Sequence, residues 1–222
     1  MDLMTPSLVI LDCDGTLVDS AAHIAAVFNE TVASFGYASL TTERVARVIG
    51  LSLDDALGRL LPDCPAAVRP RIIHAYRARY AIDGAGRDPL FTGVREFLDA
   101  VRREGRWLAM ATGKSRAGAL RVIAEHELGD YFATIRTGDV CRPKPHPEML
   151  VQILDELGLP ADRAVMVGDT TFDVEMAHSA GMRAIGVGWG AHDPNELAQA
   201  GAELVVPRLQ DLARHLPRLL PP

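Results

Sequence analysis

The chain has 222 residues, 48% of them hydrophobic and 23% charged, and a formal net charge of −6. That balance suits an ordinary folded core. It carries no dense Lys/Arg stripe of the kind that binds nucleic acid, and no apolar run near the roughly 20 residues that span a bilayer. With an acidic chain, an anionic substrate has to be drawn in by local cations or a metal rather than by the global field. Three widely spaced cysteines, Cys13, Cys64 and Cys141, make neither a CxxC pair nor a disulfide framework, which fits a reducing, cytoplasmic compartment. No basic segment followed by a long apolar stretch opens the sequence, so no signal peptide is expected.

In chain order, residues 7–12 read as a short buried strand that runs into Asp12-Cys13-Asp14-Gly15-Thr16. The segment from about 20 to 88 has helical patterns at 20–36, 42–49, 52–60 and 65–82 and no convincing strand. It closes on "GAGRDP" at 84–89, a glycine and proline cluster that reads as a hinge. Beyond it come a helix at 93–104, a strand at 106–112, a helix at 116–128 and a weaker strand at 131–137. A helix at 147–157, a strand at 163–169, a helix at 172–180, a strand at 183–189, a helix at 194–200 and a weaker strand at 202–207 follow. The proline-rich end, "LPRLLPP", terminates a last helix. Strands alternating with helices at this spacing predict βαβ units and a parallel sheet, with right-handed crossovers laying helices on both faces. The expected domains are an α/β core of residues 1–18 and 89–222 and a helical cap of residues 19–88.

In an open parallel sheet, ligands bind outside the carboxyl ends of the strands. Three of those ends, with Asp12 and Asp14, with Thr112, and with Asp169, meet at one crevice, with Asp173 close behind. Each carboxylate alone has an ordinary use, since Asp and Thr start turns and cap helices; Asp169 or Thr170 can cap the helix near Phe172. Several converging carboxylates without a cation raise one another's pKa and cost stability. A bound Mg2+, a hard ion served by carboxylates, carbonyls and water, removes that conflict. Alternate residues of an extended strand point the same way, which puts Asp12 and Asp14 on one side and turns Cys13 into the core. Thr112 offers a hydroxyl at its strand end, Gly113 an open backbone, and Lys144 stands between two prolines that stiffen its loop.

These four places together resemble the four signatures of the haloacid dehalogenase superfamily: Asp12 to Ser20, Thr112, Lys144 and "GDTTFD" at 168–173. The helical insert after the first signature, and "GVGWG" at 186–190, resemble the phosphoglycolate phosphatase-like branch. The resemblance implies a Rossmann-like core and a Mg2+-dependent phosphatase acting through an aspartyl-phosphate. In that reading Asp12 attacks phosphorus, and Asp14 protonates the leaving oxygen and then activates water. Asp12, the backbone carbonyl of Asp14, and Asp169 hold the metal. Thr112, the Gly113 N–H and Lys144 hold the phosphoryl group, and Asp173 supports the site from behind. A cap loop, Gly50, Leu51 and Ser52, reaches the substrate. The implied partner is a small phosphorylated metabolite, phosphoglycolate by default, with a sugar phosphate or nucleotide as alternatives. A phosphomutase would keep the same signatures, a dehalogenase would not need Asp14 or Asp169, and a non-catalytic binding protein would have lost Asp12, Asp14 or Lys144. Among cap residues His23, Arg47, His74, Arg77 and Arg79 are further candidates for substrate contact, as are His146 and His178 on the core. Oligomeric state is not written in the sequence.

Overall fold

A computed structural model describes residues 6–83 and 88–220; the "GAGR" part of the expected hinge lies outside the described residues. In chain order the elements are β1 (Leu8–Leu11), α1 (Ala21–Ala33), α2 (Thr42–Ala46), α3 (Leu53–Leu60), α4 (Arg69–Asp83), α5 (Val94–Arg103), β2 (Trp107–Thr112), α6 (Arg116–Glu125) and β3 (Thr134–Thr137). They continue with α7 (Glu148–Leu157), a single 3-10 turn at Ala161–Arg163, β4 (Ala164–Gly168), α8 (Thr171–Ser179), β5 (Arg183–Val187), α9 (Pro194–Gln199), β6 (Leu204–Val206) and α10 (Leu209–Leu219).

The six strands form one sheet in the order β3-β2-β1-β4-β5-β6, with every pairing parallel. This is the doubly wound order, in which strand sequence reverses beside β1 and opens a crevice at the carboxyl ends of β1 and β4. Side chains alternate between the faces. Val9, Leu11, Leu108, Met110, Val165, Val167, Ile185 and Val187 pack with the apolar sides of α5, α6 and α10. Leu8, Ile10, Ala109, Ala111, Met166 and Ala184 pack with α7, α8 and α9. Burial on both faces is why the central strands read as unbroken apolar runs. The two weaker strands, β3 and β6, are the sheet edges, where half-polar sequences such as "TIRT" are tolerated because one side is not covered.

Helices α1 to α4 form a separate layer with a core of their own, built on Phe28, Val32, Val45, Leu57, Leu60 and Ile72. Phe172, at the start of α8, leaves the sheet domain and packs into that cluster. The chain enters and leaves this block side by side: the Asp19 N–H donates to the Pro89 carbonyl at 2.9 Å, and Val18 bridges Leu90 antiparallel.

One expectation changes. The first strand stops at Leu11, and Gly15, at φ 75°, turns the chain at once. Asp12 and Asp14 are therefore not alternate residues of one strand, and their carboxylates go to different partners. At the other end, α10 runs through Pro217 and stops at Leu219, inside "LPRLLPP", as expected. Pro217 lies in the last turn, where its missing N–H costs a single helical bond.

Candidate active site

The loop after β1 is the floor of the site. The Asp12 N–H donates to the Val167 carbonyl at 2.9 Å, tying the ends of β1 and β4 together. Asp12 is 1% exposed, yet neither carboxylate oxygen has a hydrogen bond among the described residues. Lys144 Nζ lies 2.8 Å from Asp12 Oδ1, a charge contact outside hydrogen-bond geometry. Lys144 is itself fully buried and donates to Asp173 Oδ1 at 2.6 Å. The other Asp173 oxygen accepts from the Thr170 N–H and hydroxyl, closing the capping box of α8. Asp173 thus starts a helix and aims a lysine with the same carboxylate.

Asp169 follows β4 and is held at both oxygens, by the Thr16 hydroxyl at 2.9 Å and the Ala191 N–H at 2.8 Å. It fits because two glycines stand against it. A Cβ on Gly15 would come within 2.1 Å of Asp169 Oδ2, and one on Gly190 within 2.1 Å of Asp169 Cβ. Trp189 secures the same corner by donating its indole N–H to the Thr16 carbonyl at 3.2 Å.

Asp12, Asp169 and Asp173 each offer an oxygen within 4.8 Å of the others, and all three are buried. Burial lifts the Asp12 carboxyl to about 7, against the pull of Lys144 and with a further push from Asp173. Asp169 is raised well above the carboxylate range, first by burial and then by Asp12 and Asp173. Burial works against the Lys144 ammonium, but Asp12 and Asp173 outweigh it and hold its pKa above the usual lysine value. Three carboxylates beside one ammonium leave two negative charges in excess, which is the charge of one divalent cation. Asp173 is bonded to the Lys144 ammonium, whereas Asp169 accepts only from neutral donors and Asp12 has no hydrogen bond among the described residues, so Asp12 and Asp169 are the better ligands. A hard ion such as Mg2+ fits that all-oxygen set.

Asp14 lies apart from this cluster. Its Oδ1 accepts from the Ser20 hydroxyl and sits 2.7 Å from Lys114 Nζ. Lys114 also donates to the Tyr80 hydroxyl at 3.2 Å, and Tyr80 donates to Asp88 at 2.8 Å. Burial alone would lower the Lys114 pKa, yet Asp14 and Tyr80 raise it well above normal, so the lysine stays charged. Thr112 is buried at the end of β2 and accepts from the Lys114 N–H at 3.2 Å. Cys13 is buried in the sheet core and burial pushes its thiol up, which leaves it inert.

A cavity of about 460 Å³ opens from Asp12 and Asp14 up into the helical block, and Gly50, Leu51, Ser52 and Gly113 all line it. The Ser52 hydroxyl is already engaged as the cap of α3, accepting from the Asp55 N–H and donating to its carboxylate. Gly113 is pressed against Gly50: a Cβ there would stand 2.7 Å from the Gly50 carbonyl oxygen. Of the other candidates, His23 pairs with Asp88, Arg47 with Glu196 and Arg79 with Glu30, so their partners are protein carboxylates. Arg77 lines the cavity, while His74, His146 and His178 do not.

Sequence reasoning missed Lys114, Gly190, Trp189 and His192. His192 takes the Thr171 N–H on Nδ1 at 3.1 Å, which leaves Nε2 protonated to donate to the Arg47 carbonyl at 3.1 Å. It joins the sheet domain to the helical block, and burial lowers its pKa, favouring the neutral ring this pairing needs.

The family model for haloacid dehalogenase-like hydrolases matches residues 9–187. The protein named "Probable phosphatase IndB" of Dickeya dadantii is 36% identical over 90% of this chain and 88% of its own length. A phosphoglycolate phosphatase of Cupriavidus necator is 34% identical over 96% of this chain and 93% of its own. The crystal structure of a hydrolase from Pseudomonas syringae superposes with a TM-score of 0.86 at 25% identity, over 96% of this chain and 99% of that one. The chain belongs to the haloacid dehalogenase-like hydrolases. It is a phosphatase-type hydrolase of their phosphoglycolate phosphatase-like branch.

Proposed function

We propose that the protein is a Mg2+-dependent phosphatase that hydrolyses a phosphate monoester of a small metabolite through an aspartyl-phosphate. The observation that carries this reading is Asp12: a buried carboxylate at the end of the central strand, without a hydrogen bond among the described residues and 2.8 Å from the buried Lys144 ammonium. An Asp12 oxygen attacks phosphorus and the ester P–O bond breaks. The departing alkoxide takes the proton of Asp14. Water then attacks the phosphorus of the acyl phosphate, Asp14 takes back a proton, and the P–O bond to Asp12 breaks to release inorganic phosphate. Each step keeps Asp12 and Asp14 in role as nucleophile and acid–base.

Lys144, the Thr112 hydroxyl and the Gly113 N–H are suited to hold the transferring group, whose charge sits on its outer oxygens. Asp12, Asp169 and the Asp14 carbonyl would hold Mg2+, which neutralises phosphoryl charge when bound. Asp173 acts through Lys144, keeping its ammonium turned towards Asp12. The helical block, residues 19–88, acts as a cap that shields the crevice and meets the leaving group through Gly50 and Leu51. Phosphoglycolate is the substrate in the names of several relatives and the first ester to test.

The test is release of inorganic phosphate from a panel of monoesters with and without Mg2+. Wild type should turn over only with the cation. Asp12→Asn should lose at least about a thousandfold in kcat and carry no hydroxylamine-labile phosphate after acid quenching. Undiminished turnover by Asp12→Asn would overturn the covalent route, and transfer within the substrate without free phosphate would make the protein a mutase.

A further inference from the structure

The cavity above Asp12 and Asp14 is poorly matched to a two-carbon acid. At about 460 Å³ it is in the range of pockets that enclose molecules of drug size. Its wall within the helical block is apolar, with Ile24, Phe28, Val45, Val48 and Ile73 among the lining side chains. Tyr76 and Tyr80 add two aromatic rings, stacked with centroids 5.7 Å apart. Burial raises both phenols, so they are neutral, flat surfaces at working pH. A short carboxylate next to the phosphoryl position would need a cation to receive it. Of the three cations lining the cavity, Lys114 is committed to Asp14 at 2.7 Å and Arg121 is engaged by Glu125 and the Tyr80 ring, while Arg77 of α4 stands in the wall of the helical block. A small acid would leave the apolar wall facing trapped water, at a cost that scales with the uncovered area.

We propose that the alcohol half of the substrate carries a ring or an equally bulky apolar body, which fills the cavity between the helical block and the sheet. The inference rests on the phosphatase reading and names the class of ester that site takes. The phosphate anchors at Asp12 and Lys144, and the ring lies against Tyr76, Tyr80 and the aliphatic wall. The chemistry is unchanged. Specificity comes from burying the leaving alcohol rather than pairing a second anion.

The test compares esters that leave as similar primary alkoxides, so that size and not leaving-group acidity is read. With Mg2+ present, 2-phenylethyl phosphate should exceed both ethyl phosphate and phosphoglycolate in kcat/KM by at least about tenfold, since even one methylene in an apolar pocket is worth that much. Ile73→Trp and Ile49→Trp, which fill the cavity from two different elements, should each lower the ratio of phenylethyl to ethyl turnover by about tenfold. Phosphoglycolate equal to or better than the phenylethyl ester overturns the inference and leaves the phosphatase reading standing. A ratio unmoved in both tryptophan variants overturns it too. If no ester releases phosphate, the phosphatase reading itself has failed.

Discussion

Asp169 is a carboxyl group held in a place where charge is costly. Burial and two neighbouring carboxylates oppose its ionisation, while Thr16 and Ala191 fix it there. Asp169→Asn should therefore raise the melting temperature of the metal-free protein, by about 2–4 °C for each kcal/mol recovered. The same variant should lose most of the stabilisation that Mg2+ gives wild type. A calorimetric scan of both proteins with and without the cation reads both effects. A fall in the melting temperature of the metal-free variant would mean that the cluster is not under electrostatic stress.

The pH dependence follows from the same groups. Asp12 titrates at about 7 in the fold against 3.8 in the free chain, and Asp169 is raised as well. Between those values the folded state keeps protons that the unfolded chain has released. The Asp12 contribution to stability is complete below 3.8 and is lost as pH rises through about 7, and Asp169 acts in the same direction. A cation has to displace those protons, so the rise in melting temperature on adding Mg2+ should be larger at about pH 8 than at about pH 5.5. A shift that shrinks with rising pH would contradict the assignment of these carboxylates as ligands.

Among the elements, the loop before α3 and the loop after β2 meet backbone to backbone at Gly50 and Gly113. Gly113→Ala would drive a methyl group towards the Gly50 carbonyl, 2.7 Å away. The cap loop must retreat, and displacements of about 1 Å at such a site cost orders of magnitude in rate. The expected result is a fall in kcat/KM of about tenfold or more with little change in melting temperature. Glycine at position 113 is what lets the two loops meet this closely. The sequence made the strands that end in Asp12, Thr112 and Asp169 legible because burial on both faces writes an unbroken apolar run before each polar end. It also made the caps legible, since Thr170 with Asp173 is a local pattern. It did not disclose Lys114, His192 or Gly190. Each acts on a residue distant in the chain: Lys114 on Asp14, His192 on Arg47, Gly190 on Asp169. No spacing rule reports such contacts, whether across the hundred or more positions of the first two pairs or between the ends of neighbouring strands for the third. The turn at Gly15 was hidden for a different reason, because an Asp-x-Asp pair looks the same whether the strand continues or stops.

Across the whole molecule, a two-faced sheet and a helical layer share one aromatic anchor. Phe172 starts a helix of the sheet domain, lies in the cluster of the helical block, meets His192 edge-on with centroids 5.2 Å apart, and has the Arg59 guanidinium 5.3 Å over its ring. Phe172→Ala should cost about 3–5 kcal/mol in denaturant unfolding. If the two layers uncouple, the transition should also broaden or split, because each layer keeps its own core. A single sharp transition at unchanged midpoint would show that the anchor carries no load.

The paired crossing at Asp19 and Pro89 has an evolutionary corollary. Both stems of the inserted block leave the sheet through one doorway, stitched shut by a backbone hydrogen bond and a bridge between Val18 and Leu90. Whatever is threaded beyond that doorway can grow, shrink or be swapped for another module without shifting the register of β1 against its neighbours, since closing a longer loop costs only a slowly rising entropy. Under the proposed role of the block as a cap, substrate choice and bond-breaking chemistry would be inherited separately, and a transplanted block from a relative should retarget this catalyst without rebuilding it.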